Sequence, residues 1–271
     1  MNLFKQFWTG LSSYWKAAQL IFSSTMWLAF VIPVMLSIGL FYSGEILTDQ
    51  LRDFKFSELS DENGSEYLLL GIQFIMVYVS KFMNKYLVLA LLAPLLAALS
   101  VQAEKMLTGN EYKFDFKLYI NDIVRALTIS GRNMGIQLMM MAVFFLVTLI
   151  YSLPDVVYQV LYFVIAFYFY GFSFMDYPSE RRRLTVQESV QFTRKHWVAA
   201  FTLGAVYGAL FWIPNFGLPL EPGVILAPIF GAVAGTVVVH RIVDLSKNPH
   251  AVRANKENLE AEKKPAIEEE A

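Results

Sequence analysis

The sequence contains no cysteine and only three histidines among its 271 residues. The first absence excludes disulfides and thiolate metal sites. The three histidines, at positions 196, 240 and 250, belong to no HExxH motif, which makes metal chemistry improbable on pattern alone. We therefore expect neither a metal site nor a cofactor, and we predict no catalytic residue.

Charged residues are also scarce, at 17% of the chain, whereas hydrophobic residues make up 56%. This composition is too apolar for an ordinary soluble domain and is typical of an integral membrane protein. The net charge is only −1, so the total charge indicates neither nucleic acid nor another polyanion as a partner. The first 25 residues lack a compact apolar segment followed by a small-residue cleavage site, so we expect no cleaved signal peptide.

The first half of the chain alternates long apolar runs with polar segments. Residues 3–22 carry aromatic and apolar side chains three and four positions apart, which predicts an amphipathic helix in the membrane interface. One continuous helix from about Ile21 to Tyr42 would form the first span, and the apolar run 67–99 would form a second, longer one. The acidic segment 44–66 between them is the predicted outer loop.

Two shorter apolar pairs follow. The run 134–175 is interrupted only by "PD" and predicts a tight helical hairpin, and 197–240 predicts a second hairpin around "PNFGLPLEPG". The helices of the second hairpin are short, so each hairpin either crosses the bilayer or enters it only partway. The predicted fold is an all-α, polytopic membrane protein with an interfacial N-terminal helix, two long spans and two hairpins.

The basic residues are unevenly placed along the chain. They concentrate in the N-terminal helix, in 100–133, in the segment that follows the first hairpin, and in the polar tail 241–271. Because Lys and Arg are retained on the cytoplasmic side, both termini are predicted to be cytoplasmic. Residues 100–133 would then form a cytoplasmic polar cap, and the tail would be largely disordered.

Four motifs, in a fixed order, resemble the CysZ family, which is grouped with the etoposide-induced membrane proteins. They are "LLAPLLAALSVQAEKMLTG", "FSFMDYPSERRRLTVQESVQFTRKHW", "FWIPNFGLP" and a Pro- and Gly-rich last segment, and the resemblance covers about residues 3–242. It implies a bacterial inner-membrane protein with two full spans and two hairpins that enter the bilayer partway. It also implies an oligomer that conducts sulfate into the cell for cysteine synthesis, with sulfate or a similar small anion and membrane lipids as partners.

One position departs from the family pattern. Relatives place a Gly, a large residue and then Arg or Lys near the start of the first membrane helix, where they are associated with sulfate. The corresponding stretch here is "AAQ", so Gln19 occupies the basic position. Lys16 lies three residues earlier on the same helical face and is the predicted substitute.

An anion path requires cations or backbone amides at a dehydrated constriction. The candidates for such a path are Lys16, Gln19, Glu104, Lys105, Arg125 and Arg132. The resemblance favours Glu104, because an acidic residue shortly before Leu-Thr-Gly recurs in relatives. The alternative for Glu104 is a salt bridge with Lys105 or Arg125 that only stabilises the cap.

A second group marks the end of the first hairpin: Asp176, Pro178, Arg181, Arg182, Arg183 and His196. The Tyr-Pro step is predicted to stop the helix at the membrane surface, and the three arginines to hold that end in the cytoplasm. Asp176, unfavourable at a helix C-terminus, should pair with one of those arginines. His196 is either a titratable gate or an interfacial anchor beside Trp197.

The sequence thus favours an anion permease over two alternatives. One is a non-transporting membrane scaffold or envelope-homeostasis protein, suggested by the missing basic residue at Gln19. The other is an intramembrane hydrolase using Ser173 of "YGFSF", although no histidine is placed convincingly opposite it. The small-xxx-small motifs "GAVYG" and "GAVAG" predict helix contacts within or between protomers.

Overall fold

The computed structural model describes residues 1–39, 42, 92–112, 154–214 and 222–251, and the positions 124–125, 128–129, 132–133, 135–136, 139–140, 142–144, 146–147 and 151. Throughout these described residues the regular elements are helices and none is a strand, which confirms the all-α class. The predicted acidic loop 44–66, most of the run 67–99 and the tail beyond residue 251 lie outside the described part.

The main helices of the described chain are numbered in chain order. They are α1 (Leu3–Phe22), α2 (Thr25–Gly39), α3 (described over 92–108), α4 (Asp155–Arg181), α5 (Val186–Lys195), α6 (Trp197–Phe211) and α7 (Pro222–Ile242). By length and composition, Gln159–Arg181 and Pro222–Ile242 could each cross a membrane, and α1 with α2 would be a third span if they form one broken helix. At 15 residues, α6 is shorter than a usual span and has the exposed Trp197 and Trp212 at its ends.

The helix predicted to be continuous from Ile21 to Tyr42 is instead broken between α1 and α2, whose axes differ by 95°. The hydrogen bonds of Ser24 explain the break. The Ser24 hydroxyl donates to the Leu20 carbonyl at 2.7 Å, and its oxygen accepts from the Met26 amide at 3.2 Å. Side-chain bonds of this kind compete with the helical ladder. The chain therefore ends one helix and caps the next within two residues.

The aromatic face of α1 points away from the protein. Phe4, Trp8 and Trp15 are exposed, whereas the buried face carries Gly10 and Tyr14 among other small or polar residues. The Tyr14 hydroxyl donates to the Leu203 carbonyl of α6 at 2.7 Å. A helix that buries its polar face and exposes its aromatic face suits contact with lipid.

Glycines bring α4, α6 and α7 into backbone contact. An ideal Cβ on Gly204 would lie 1.7 Å from the Phe167 carbonyl oxygen, and one on Gly171 would lie 1.7 Å from the Ala200 carbonyl oxygen. On α7, a Cβ on Gly235 would lie 2.5 Å from the Phe174 carbonyl oxygen. The helix contacts predicted from "GAVYG" and "GAVAG" are therefore confirmed, and they occur within one protomer.

The prediction that Pro178 stops the helix is wrong, because α4 continues through it to Arg181. Pro178 has no N–H for the Phe174 carbonyl, and the backbone of α7 at Gly235 lies against that carbonyl. The helix ends instead in a Schellman motif, in which Leu184 N–H bonds Ser179 O at 3.2 Å and Arg183 N–H bonds Glu180 O at 2.7 Å. Arg183 takes the left-handed conformation, with φ of 53°.

The C-terminal ends of α4 and α7 lie together with residues 245–251. Asn248 donates to the Arg181 carbonyl at 3.3 Å, and the Arg241 guanidinium donates to Ser12 of α1 at 2.7 Å. The arginines Arg181, Arg182 and Arg183 are part of this cluster of helix ends, which we call the basic end.

Candidate functional site

The centre of the basic end is a buried ion pair between α3 and α4. Arg181 Nε lies 2.7 Å from Glu104 Oε2; the Glu104 side chain is fully buried, and that of Arg181 is 10% exposed. An isolated carboxylate at this depth would be costly, so its charge requires compensation. The prediction that Glu104 pairs with Lys105 or Arg125 is wrong. The actual partner follows 77 residues later, at the end of α4.

Neutral side chains complete the bonding of this pair. The Tyr112 hydroxyl and the Asn110 side-chain amide both donate to Glu104 Oε1, the Asn110 bond being 3.3 Å long. The Asn110 amide also donates to the Leu245 carbonyl at 2.7 Å. Burial, followed by the Glu104 hydrogen bond and charge, raises the pKa of Tyr112 above its usual range. Tyr112 therefore keeps its proton and remains a donor to the carboxylate.

The guanidinium side of the pair is held by α3 and α7. Arg181 Nη2 donates to the Ser100 hydroxyl at 3.0 Å and to the Ser100 carbonyl at 3.2 Å. Ser100 in turn lies 2.6 Å from the Thr236 hydroxyl. The pair thus joins three helices and residues 245–248, and its donors and acceptors are already engaged.

A second ion pair joins the segment at 124–125 to α4. Arg125 lies 2.9 Å from Asp176 Oδ1, with side-chain exposures of 14% and 9%, and Ser189 of α5 donates to the same carboxylate oxygen. The prediction that Asp176 pairs with an arginine just after it is wrong. Those arginines lie at the end of α4 beyond Asp176, and Arg181 is turned toward Glu104.

The remaining anion candidates do not converge on these pairs. Lys105 is exposed and bonds Glu111 at 2.8 Å. Lys16 is half-buried on α1 and forms no ion pair with any described residue, and the neutral Gln19 is exposed. Arg132 is exposed and lines a separate cavity with Arg194 of α5. Of the six candidates, only Glu104 and Arg125 take part in the buried pairs.

Arg182 and His196 both lie against Phe192 of α5. The Arg182 guanidinium lies 5.4 Å from the centre of the Phe192 ring, and Arg182 Nη1 has no hydrogen-bond partner. Burial lowers the pKa of Arg182. His196 follows the last residue of α5, and its Nδ1 lies 2.9 Å from the Phe192 carbonyl oxygen. Burial lowers the pKa of His196, and the charges of Lys195 and the N-terminus also lower it. A lowered pKa keeps His196 neutral at pH 7.

Several members of the buried network were missed by the sequence reasoning, namely Ser100, Asn110, Tyr112, Thr236 and Asn248. Ser100 and Thr236 carried a usable signal, because a hydroxyl on an apolar helix needs a partner in a membrane protein. Asn110 and Tyr112 follow a turn at Gly109, whose φ is 75°. No spacing rule connects these residues with Arg181, so the network emerges only in three dimensions.

Ser173, the candidate nucleophile of the hydrolase hypothesis, is exposed and donates to the Phe169 carbonyl four residues earlier at 3.0 Å. This is ordinary hydroxyl bonding along a helix. Within the described residues, no group of three or more His, Cys, Asp or Glu side chains could hold a metal ion.

Comparison with known proteins agrees with the helical membrane architecture. No curated protein gives a significant match. The family model described as "Sulfate transporter CysZ/Etoposide-induced protein 2.4" matches residues 13–222, which is more than half of the chain. This family is of the transporter type and is not an enzyme class. The chain therefore belongs to the family of sulfate transporter CysZ and etoposide-induced protein 2.4.

Proposed function

We propose that the protein is an integral membrane anion permease whose leading substrate is sulfate, taken up for sulfur assimilation. The observation that carries this proposal is the family match over residues 13–222. The proposal places the protein in the bacterial inner membrane as an oligomer, with both termini in the cytoplasm. The distribution of Lys and Arg supports this orientation.

In this proposal the buried ion pairs stabilise the permease and do not contact the anion. Arg181 and Arg125 are already neutralised by Glu104 and Asp176, so binding an anion there would require breaking a buried pair. An anion path needs cations that are free to exchange. Lys16 forms no ion pair with described residues and lies three residues from Gln19, where relatives carry the basic side chain. We therefore assign the first contact with the anion to Lys16.

The test is sulfate uptake into liposomes that contain the purified protein, with chloride and phosphate as comparison anions. We expect uptake above that of empty vesicles and at least a severalfold loss in Lys16→Gln. Lys247→Gln is the matched control, because it removes one exposed lysine beyond α7. No uptake by the wild type would overturn the permease proposal, and equal losses in both variants would remove Lys16 from the path.

The second candidate is a non-transporting membrane scaffold of the same family. Gln19 favours it, because a neutral side chain occupies the position at which relatives are basic. Restoring the charge separates the two functions. Gln19→Arg should raise uptake by a permease, whereas a scaffold should show no uptake with either residue.

A further inference from the structure

A cavity of about 410 Å³ lies between α4, α5, the start of α6 and the residues Arg132, Asn133 and Ile136. It is distinct from the two buried ion pairs, since neither Glu104 nor Asp176 lines it. Its volume falls within the range of pockets that hold small organic ligands. One part of its wall is cationic and polar, and another is apolar.

The polar part of the wall offers donors of the kind that bind an oxyanion. Arg132 and Arg194 are both exposed, and neither forms an ion pair with a described residue. Both line the cavity together with Tyr168 and act electrostatically on it. Two guanidinium groups that line one cavity repel each other, and an anion between them would relieve that repulsion. Arginine is also the side chain best suited to bidentate binding of phosphate.

Asn133 provides an independent indication of a ligand. Its side chain lines the cavity and is only 6% exposed, yet Nδ2 has no hydrogen-bond partner. A buried amide donor without an acceptor is uncommon in folded proteins. An oxygen atom in the cavity would satisfy it, and Arg132 and Arg194 line the same cavity.

The apolar part of the wall indicates that the ligand has a hydrophobic portion. Phe172, Ile136 and Val190 line it, and Phe172 is only 2% exposed. Trp197, half-exposed at the start of α6, borders the cavity as well. Trp and Tyr are favoured at the level of lipid headgroups. A free inorganic anion would leave this apolar wall without a partner, whereas a phospholipid would cover it.

We propose that this cavity binds the phosphate of an anionic phospholipid. Arg132 and Arg194 pair with the phosphate oxygens, Asn133 Nδ2 donates to one of them, and the start of an acyl chain covers the apolar wall. The bound lipid would link Arg132, Asn133 and Ile136 to α5 and α6. This site is independent of the anion path assigned to Lys16, and it is not a step in transport.

The experiment titrates the delipidated, full-length protein with phosphatidylglycerol and follows bound lipid by native mass spectrometry. We expect Arg132→Gln with Arg194→Gln to weaken binding by roughly tenfold or more, since two charge-assisted contacts are lost. The control pair Lys5→Gln with Lys195→Gln removes the same charge from exposed positions outside the cavity. It should change binding by less than about twofold, as expected for screened surface charges.

Asn133→Leu gives a second test of the site, which does not depend on the arginines. Without lipid, this variant should melt at or above the wild-type temperature, because an unsatisfied buried donor is removed. The rise in melting temperature that phosphatidylglycerol gives the wild type should shrink clearly in the variant. An unchanged rise would overturn the assignment of Asn133 to the ligand.

Competition with glycerol 3-phosphate and inorganic sulfate identifies the source of the phosphate group. We expect neither soluble anion to displace phosphatidylglycerol at equal concentration, because neither covers the apolar wall. Equal competition would overturn the lipid assignment in favour of a free-oxyanion site. Unchanged lipid binding in the double arginine variant would overturn the site itself.

Discussion

At the scale of single residues, Glu104 on α3 and Asp176 on α4 are both buried, and a buried carboxylate is costly unless a cation compensates its charge. Glu104 and Asp176 were both expected to pair with arginine or lysine. Their actual partners, Arg181 and Arg125, lie 77 and 51 residues away along the chain. Burial cost predicts that an acid in an apolar setting has a basic partner, but it does not say which one. That choice depends on how the helices pack.

Replacing Arg181 tests how much the buried pair stabilises the protein. Arg181→Gln leaves the fully buried Glu104 without its cation, so we expect a loss of about 3–5 kcal/mol in the free energy of unfolding. The neighbouring Lys105→Gln breaks only the exposed pair with Glu111 and should cost about 0–1 kcal/mol. Denaturant unfolding in detergent micelles measures both variants. Losses of similar size would contradict a stabilising role for the buried pair.

At the scale of elements, apolar periodicity predicted the existence of the helices but misplaced two of their ends. The break after α1 arises because Ser24 bonds backward to Leu20 and forward to Met26. The end of α4 is set by a Schellman motif at Arg183 and not by Pro178. Both features depend on local bonds that compete closely with helix continuation. Periodicity alone does not resolve that competition.

Helix contacts were more predictable, because small residues four apart leave room for a neighbouring backbone. Gly204→Ala would place a Cβ 1.7 Å from the Phe167 carbonyl oxygen, so α4 and α6 must separate. We expect a loss of about 3 kcal/mol, at the upper end of overpacking effects. Gly135→Ala is the matched control, since no atom lies within 4 Å of its added Cβ.

The control substitution should be neutral or stabilising by up to about 1 kcal/mol, because alanine is the better helix former. Thermal melting in the same detergent compares the two variants. A melting temperature for Gly204→Ala equal to that of Gly135→Ala would show that α4 and α6 are not in backbone contact in the folded protein.

At the scale of the whole molecule, composition alone fixed the class. A chain with 56% hydrophobic and 17% charged residues is too apolar for an ordinary soluble domain. The helices of the described residues suit lipid, because a helix satisfies its backbone groups internally. The outward aromatic face of α1 is likewise suited to contact with lipid. The meeting of the N-terminal helix and the ends of α4 and α7 was predicted only indirectly, through the shared sign of their charges.

The basic end makes the orientation testable with a single thiol. The chain has no cysteine, so each introduced cysteine is the only one present. Ser246 is exposed, and the adjacent Leu245 is buried and accepts a hydrogen bond from Asn110, which fixes the position of this residue relative to the basic end. Asn63 belongs to the acidic segment 44–66, which is predicted to lie on the opposite side of the membrane.

In intact cells, a membrane-impermeant maleimide should label Asn63→Cys and should not label Ser246→Cys. After permeabilisation, Ser246→Cys should also react, which controls for its accessibility. The physical reason is that Lys and Arg near helix ends are retained in the cytoplasm, whereas acidic residues have little effect on orientation. Labelling of Ser246→Cys in intact cells, with Asn63→Cys protected, would invert the topology. It would then place the basic end, including Arg181 and Arg241, on the outer face of the membrane.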